Sequence, residues 1–268
     1  MPVLHLDDAD IHYKVHGSGP AMLFCSATAT HGDVWKFYQV PEFSGDHAVI
    51  TYDQRGTGKS PLRSKDCSSA RLVADAAALL DHLRAGPAIV CGHSNGGRVA
   101  QGLAVARSDL VKKLVLLSSG GASKSQGIPI GMVVDLVRMG YEPWVRAQAI
   151  SNGFSKAWIA ANPEELERYL AVRLANPPSL ENYLRHVVGR QAFDLGPRVR
   201  DIRAPTLVMV GDDEDHGAQG DTTHLGYARI LAKDIPGARL VALPGQGHYY
   251  YFSAPEATHA AMRAFMAG

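Results

Sequence analysis

The apolar residues of this chain fall into short continuous runs separated by longer segments with helical spacing. Short apolar runs bounded by turn residues are typical of strands buried on both faces of a parallel sheet. Such runs occupy residues 21–25, 47–52, 88–91, 113–118 and 206–211, and residues 239–243 are predicted as the last strand. Residues 3–6 and 11–15 are predicted as two further strands, joined by an acidic turn.

The segments between these runs carry apolar residues three and four positions apart. Residues 71–83 place Leu72, Leu79 and Leu83 on one helical face, and residues 95–107, 222–232 and 255–266 are also predicted as helices. Strands alternating with helices predict an α/β fold, with a mostly parallel sheet flanked by helices. Active sites in such sheets lie beyond the carboxyl ends of the strands.

Between residues 120 and 200 the pattern changes, because no run typical of a buried strand occurs there. Helical stretches are predicted at 132–139, 144–150, 164–174 and 180–192, separated by Asn-Pro sequences. We therefore predict a core formed by residues 1–119 and 201–268 and a helical cap formed by residues 120–200. The aromatic residues of the cap are expected mainly to pack it together, with two or three facing a small apolar pocket.

The sequence Gly-His-Ser-Asn-Gly at residues 92–96 joins one of these strands to a helix. Gly-x-Ser-x-Gly in this context is the pattern of a nucleophile elbow, a tight turn that exposes the serine hydroxyl. Glycine at positions 92 and 96 lets strand and helix approach closely, since it has no Cβ. Ser94 is therefore the candidate nucleophile.

A serine nucleophile needs a base and an acid that orients the base. His248 follows the strand at 239–243 among flexible glycines and is the best placed of the twelve histidines to act as the base. The order serine, acid, histidine requires the carboxylate between them, and the acidic group at residues 212–215 supplies four candidates. All these groups follow strand ends, so the fold is expected to bring them to one edge of the sheet.

Together these motifs resemble those of the α/β-hydrolase fold, and the resemblance covers essentially the whole chain. The motifs are G-H-S-N-G at 92–96, D-Q-R-G-T-G-K-S at 53–60, P-T-L-V-M-V-G-D-D-E-D at 205–215 and P-G-Q-G-H at 244–248. The resemblance implies that the acid stands three residues after Gly211, which is Glu214, with Asp213 and Asp215 as rivals. It also implies that backbone N–H groups of Ala27 and Asn95 stabilise the oxyanion.

One departure from the family pattern lies in the loop after the strand at 21–25. Cys25-Ser26 stands where these enzymes usually carry His-Gly, which keeps the backbone donor and changes the loop around it. Its polar residues Thr28 and His31, together with Trp144 and Tyr249, are candidates for substrate binding. The loop side chains are equally compatible with hydrogen bonds inside the loop. Asp53 and Arg55 are expected to brace a neighbouring loop.

Composition narrows the classes of partner. A formal net charge of +1 gives no reason to expect binding to nucleic acid or to an anionic membrane. No long apolar run or signal sequence is visible, and the odd number of cysteines, Cys25, Cys67 and Cys91, indicates a reduced, cytoplasmic protein. No metal or cofactor motif is found: Cys-x-x-Cys is absent, which argues against a zinc site, and Asp53 replaces the first glycine of a phosphate loop. A monomer or homodimer acting on a small molecule is expected.

The sequence thus predicts a serine hydrolase that cleaves a small carboxylic ester or lactone through an acyl-enzyme. The alternatives are a C–C bond hydrolase acting on a diketone-like substrate, a non-hydrolytic lyase or oxygenase, and a ligand receptor on the same fold. Serine at the elbow argues against the epoxide hydrolases and haloalkane dehalogenases of similar fold, which use aspartate as the nucleophile.

Overall fold

A computed structural model describes residues 1–122, 130–213 and 223–268 of the chain, and one eight-stranded sheet lies at its centre. Across the sheet the order is β1-β2-β4-β3-β5-β6-β7-β8; the β1–β2 and β2–β4 pairs are antiparallel, and the other five pairs are parallel. The predicted α/β fold with a mostly parallel sheet is confirmed. The strands are β1 (Val3–His5), β2 (Asp10–His16), β3 (Ala21–Cys25), β4 (Ala48–Tyr52), β5 (Ala88–His93), β6 (Val111–Leu117), β7 (Thr206–Gly211) and β8 (Arg239–Leu243).

Helices cover both faces of the sheet, and successive residues of the central strands point alternately to the two sides. On β3, Leu23 and Cys25 join the core formed with α2, α3 and α9, whereas Met22 and Phe24 join the core on the other face. The helices of the core are α1 (Gln39–Phe43), α2 (Ser69–Leu83), α3 (Asn95–Ala106), α9 (His224–Asp234), α10 (Tyr250–Ser253) and α11 (Pro255–Ala267).

The described residues between β6 and β7 form helices and short connections, without a strand. They are α4 (Ile130–Met139), α5 (Tyr141–Gln148), α6 (Lys156–Ala161), α7 (Pro163–Arg173) and α8 (Leu180–Gln191), with a π turn at Ala149–Gly153 and a 3₁₀ turn at Gly196–Asp201. Four of these helices lie where the sequence predicts helices. The short helix α6 was not predicted; its N-cap is Ser155, whose side chain accepts a hydrogen bond from Trp158 N–H.

Asp53 and Arg55 brace the loop after β4, as expected from the sequence. The Asp53 carboxylate accepts hydrogen bonds from the backbone N–H groups of Gly32 (2.8 Å) and Lys59 (2.9 Å). The Arg55 guanidinium is fully buried and paired with two carboxylates, Asp75 at 2.6 Å and Asp8 at 2.9 Å. A buried charge is tolerated only when it is paired in this way. The two ion pairs of Arg55 therefore hold the loop after β4 in place.

All three cysteines are buried free thiols. Cys25 and Cys91 lie on the neighbouring central strands β3 and β5, where Phe24 is registered with Cys91. Burial raises the pKa of Cys25 to about 12 and that of Cys67 to about 11. The thiols are therefore protonated and shielded at neutral pH.

Candidate active site

Ser94 stands at the junction of β5 and α3 with φ +55° and ψ −116°. A non-glycine residue rarely adopts this conformation, and it persists only where the surroundings enforce it. Here the Ser94 N–H donates to the Leu117 carbonyl (2.9 Å), and the Ser94 carbonyl accepts from Gly97 N–H (3.0 Å). Strain fixed at a single serine between a strand and a helix is the local geometry of a nucleophile elbow.

The glycines beside Ser94 allow the close approach that this turn requires. A Cβ at position 92 would lie 2.3 Å from the Gly96 carbonyl oxygen, and a Cβ at position 96 would lie 2.1 Å from that of Cys25. Both obstacles are backbone atoms, which cannot rotate away. The first turn of α3 is therefore pressed against β5 and the end of β3, close to Ala27.

A cavity of about 240 Å³ covers Ser94. It is lined by both core and cap residues: Ala27, Thr28, Thr30, Ser94, Met132, Trp144, Val145, Gln148, Asn152, Arg173, Tyr183, Arg190, His224, His248 and Tyr249. Ser94 and His248, which lie 154 positions apart in the sequence, thus face the same space. The structure also brings the predicted residues Ala27, Thr28, Trp144 and Tyr249 into this lining.

The loop that carries His248 is fixed from two sides. The His248 N–H donates to the Asn152 carbonyl of the cap (2.9 Å), and the His248 carbonyl accepts from His93 Nε2 (2.9 Å). Burial lowers the pKa of His93 well below its usual value, so this ring is a neutral donor at physiological pH. The His224 ring also packs against His248, with its ring centroid 4.7 Å from that of His248.

Asn95, the second predicted oxyanion donor, is the first residue of α3 and is buried. The N–H groups of the first helical turn have no acceptor within the helix. Asn95 lines a second cavity of about 220 Å³, which also includes Ser94, Arg98 and Arg190. The two cavities thus meet at Ser94, with Ala27 in the first and Asn95 in the second.

The predicted triad acid, Glu214, and its rival Asp215 lie outside the described residues. The third candidate, Asp213, is described, and its N–H donates to the Gln246 carbonyl (3.0 Å). Asp212 accepts a hydrogen bond from Gly245 N–H at 2.6 Å. The end of β7 is therefore tied to the loop that leads to His248, which is the region where an acid is needed.

The sequence-based assignment of His31 to substrate binding is not supported by the geometry. His31 is buried and does not line the cavity. Its Nε2 donates to the Val172 carbonyl of α7 (2.9 Å), and its Nδ1 accepts from Asp33 N–H (3.3 Å). Burial lowers the pKa of His31, so the neutral ring connects the core to the cap.

Sequence reasoning missed two charged residues of the cavity, Arg173 and Arg190. It predicted a small apolar pocket, because only the aromatic residues of the cap were considered. A signal was present in the sequence, since each arginine ends an apolar stripe spaced i, i+3, i+4, i+7 along its helix. The stripes are Leu166, Tyr169, Leu170 and Arg173 on α7, and Tyr183, His186, Val187 and Arg190 on α8.

Comparison with known proteins shows the family of this chain. The model of the alpha/beta hydrolase family matches residues 15–261. This chain belongs to that family.

Relatives of this alpha/beta hydrolase include named hydrolases. It is 30% identical over 262 residues to a protein of Azorhizobium caulinodans named "Putative carbamate hydrolase RutD", covering 96% of this chain and 94% of the relative. It is 27% identical to Est816, described as an N-acyl homoserine lactone degrading enzyme, with a TM-score of 0.79 and coverage of 98% and 100%. The enol-lactonase of Burkholderia xenovorans LB400 shares the fold, with a TM-score of 0.85, full coverage of both chains and 23% identity.

Two features of other protein classes, a membrane-spanning helix and a metal-binding cluster, are absent from the described part of this alpha/beta hydrolase. In the described ranges, every helix is too short or too polar to cross a membrane. Nor does that part of the chain hold three His, Cys, Asp or Glu side chains grouped around a common point, as a metal ion would require.

Proposed function

We propose that this alpha/beta hydrolase is a serine hydrolase that cleaves a small carboxylic ester or lactone through an acyl-enzyme. The observation that carries the proposal is Ser94, held at φ +55° between β5 and α3 and facing the same cavity as His248. A strained serine that shares a cavity with a fixed imidazole is the arrangement that nucleophilic acyl transfer requires.

In the proposed reaction, His248 takes the proton of the Ser94 hydroxyl as its oxygen attacks the substrate carbonyl. The oxyanion accepts hydrogen bonds from the N–H groups of Ala27 and Asn95. The bond to the leaving alcohol breaks, and that oxygen receives the proton from His248. Water then attacks the acyl-enzyme as His248 takes its proton. The bond between the acyl carbon and the Ser94 oxygen breaks, that oxygen receives the proton back from His248, and the acid is released. Glu214 is the proposed acid that orients the imidazole.

The size of the cavity supports a small substrate. Sites for drug-sized ligands span about 300–1,000 Å³, and this cavity measures about 240 Å³. The names of the relatives, a carbamate hydrolase and a lactone-degrading enzyme, indicate attack by water on a carbonyl bound to oxygen or nitrogen. An ester or lactone of a short acid fits both observations.

The test is the intact mass of the protein after exposure to a fluorophosphonate, which reacts only with an activated serine. We expect one adduct on the wild type and none on Ser94→Ala, with much slower labelling of His248→Ala. Slower labelling of Glu214→Gln, but not of Asp213→Asn or Asp215→Asn, identifies the acid. Ser119→Ala is the control, because Ser119 is a buried serine close to Gly97 of α3. A folded wild type that forms no adduct refutes the proposal.

A further inference from the structure

Two arginine side chains reach the cavity, and no carboxylate among the described residues pairs with either of them. Arg173 is 6% exposed, and Arg190 is partly buried. In the described part of the chain, Arg173 donates to the Tyr141 hydroxyl (2.8 Å), and Arg190 donates to the Thr28 hydroxyl (2.9 Å) and contacts the Met132 sulfur (3.7 Å). A guanidinium has five N–H donors and stays charged at every physiological pH. Both side chains therefore retain donors for a ligand.

Arg55 shows how this protein neutralises a buried arginine whose role is structural. It lies between the carboxylates of Asp75 and Asp8, with three of its nitrogens bonded to them. Burial of an unpaired cation is strongly unfavourable. The described residues that line the cavity over Ser94 include Arg173 and Arg190 but neither aspartate nor glutamate. The missing negative charge is therefore expected to arrive with the ligand.

Resting on the function proposed above, we propose that Arg173 and Arg190 bind a free carboxylate of the substrate. The ester or lactone cleaved at Ser94 is then one that carries a second, anionic carboxyl group. The planar guanidinium fork matches the two oxygens of a carboxylate, which gives orientation as well as attraction. The small volume of the cavity places this carboxylate within a few bonds of the scissile carbonyl.

Two buried histidines fix the helices that carry these arginines. His31 donates to the carbonyl of Val172, the residue before Arg173 on α7. His186, one turn before Arg190 on α8, donates to the Arg55 carbonyl (2.8 Å). Burial lowers the pKa of His186 to about 4, so it is a neutral donor at physiological pH. The guanidinium groups are thus carried by helices bonded to the core, which favours recognition of a defined shape.

The test compares esters that differ only in charge. Methyl hydrogen succinate and methyl 4-methylpentanoate carry a carboxylate and an isopropyl group at the same position of the acid. The pair formed by 3-acetoxypropanoate and 3-methylbutyl acetate makes the same comparison on the alcohol side. For each pair, kcat/KM is measured by proton release on the wild type, Arg173→Gln, Arg190→Gln and the control Arg168→Gln. Arg168 lies on the same helix as Arg173, with an exposed side chain.

We expect the wild type to prefer the anionic ester in one of the two pairs. In that pair, the ratio of anionic to neutral kcat/KM falls about 10- to 100-fold in Arg173→Gln and in Arg190→Gln, the range for a lost hydrogen bond to a charged group. Arg168→Gln keeps the wild-type ratio. A ratio that is the same in the wild type and both variants overturns the carboxylate site, although the esters are still hydrolysed and the proposed function stands.

If none of the four esters is hydrolysed, titration calorimetry with succinate and with succinamide still decides the question. Succinate binding to the wild type that is lost in Arg173→Gln supports the site, and equal behaviour of the two ligands refutes it. Labelling of Ser94 by the fluorophosphonate separately reports whether the proposed function has failed. Should a glutamine variant not fold, Arg173→Lys and Arg190→Lys keep the charge but lose the fork, and the same ratio is expected to fall less.

Discussion

The close approach of α3 to the end of β3 at Gly96 allows a test of whether this spacing sets the reactivity of Ser94. Gly96 lies in the first turn of α3, and its missing Cβ faces the end of β3. A Cβ built there would lie 2.1 Å from the Cys25 carbonyl oxygen and 2.5 Å from that of Ser26. Both distances are below 3.0 Å, and real Cβ atoms essentially never come so close to another heavy atom. Gly96→Ala must therefore push α3 away from β3 by roughly 0.9 Å, because neither carbonyl can rotate out of the way.

This displacement acts on stability and on chemistry together. Overpacking a core by one methyl group costs typically about 1–3 kcal/mol. For a chain of this size, each kcal/mol lowers the melting temperature by about 2–4 °C. The same shift moves Ser94 and Asn95 relative to Ala27, across the space where the oxyanion forms in the proposed mechanism. A misplacement of about 1 Å can slow an oriented reaction about 100-fold.

The assay is the rate of fluorophosphonate labelling at Ser94, with the melting temperature measured on the same samples. Gly45→Ala is the matched control, since a Cβ there meets nothing within 4 Å. We expect Gly96→Ala to be folded at 25 °C, less stable, and labelled about 100-fold more slowly. Labelling of Gly96→Ala at the rate of Gly45→Ala would show that the spacing between α3 and β3 does not set the reactivity of Ser94.

Three further substitutions test the supports of the site. Asp75→Asn should lower the free energy of unfolding by about 3–5 kcal/mol, because it removes one of the two carboxylates that pair with buried Arg55. The control is Asp81→Asn, which breaks an exposed ion pair on the same helix and should lose about 0–1 kcal/mol. Both losses are measured by urea titration, and equal losses would contradict the ranking. His186→Gln should flatten the loss of stability below neutral pH: the folded state holds the pKa of His186 near 4 rather than 6.5, so the unfolded chain binds the proton first and stability falls as pH drops through this window, by up to about 3 kcal/mol. Parallel stability curves for wild type and His186→Gln from pH 7 to 4 would refute this assignment. His93→Phe should slow labelling at Ser94 at least about 10-fold, since the His248 carbonyl loses its donor; an unchanged rate would mean that this hydrogen bond does not position the base.

The sheet could be predicted well because its central strands are buried on both faces. Continuous apolar runs such as residues 21–25 and 206–211 leave little choice of structure, and the observed β3 and β7 match them residue for residue. The turn at Ser94 could also be predicted, because Gly92 and Gly96 lie two positions from Ser94 in the sequence and their steric role is local. Because His248 follows the carboxyl end of a strand, the sequence also predicted that it lies at the same edge of the sheet as Ser94.

The residues that the sequence did not predict correctly depend on contacts between distant segments. The hydrogen bond that makes His31 structural joins it to Val172, which lies 141 positions away. Nothing in the loop sequence distinguishes that bond from contact with a substrate. Arg173 and Arg190 were different, because their place at the end of an apolar stripe was visible. A cation on the buried face of a helix is worth noting wherever it occurs, since it requires a partner.

The three buried thiols give this protein a built-in reporter that is chemically independent of the active site. Cys25 and Cys91 lie in the middle of the sheet, so a thiol-reactive dye reaches them only when the central strands separate. Fluorophosphonates, in contrast, read only the state of Ser94. Dye uptake at Cys25 or Cys91 therefore measures opening of the sheet, while the adduct measures the nucleophile, on the same molecule and by the same mass spectrum. A variant that takes up neither reagent is intact with a disabled site, and one that takes up the dye at Cys25 or Cys91 has lost its sheet.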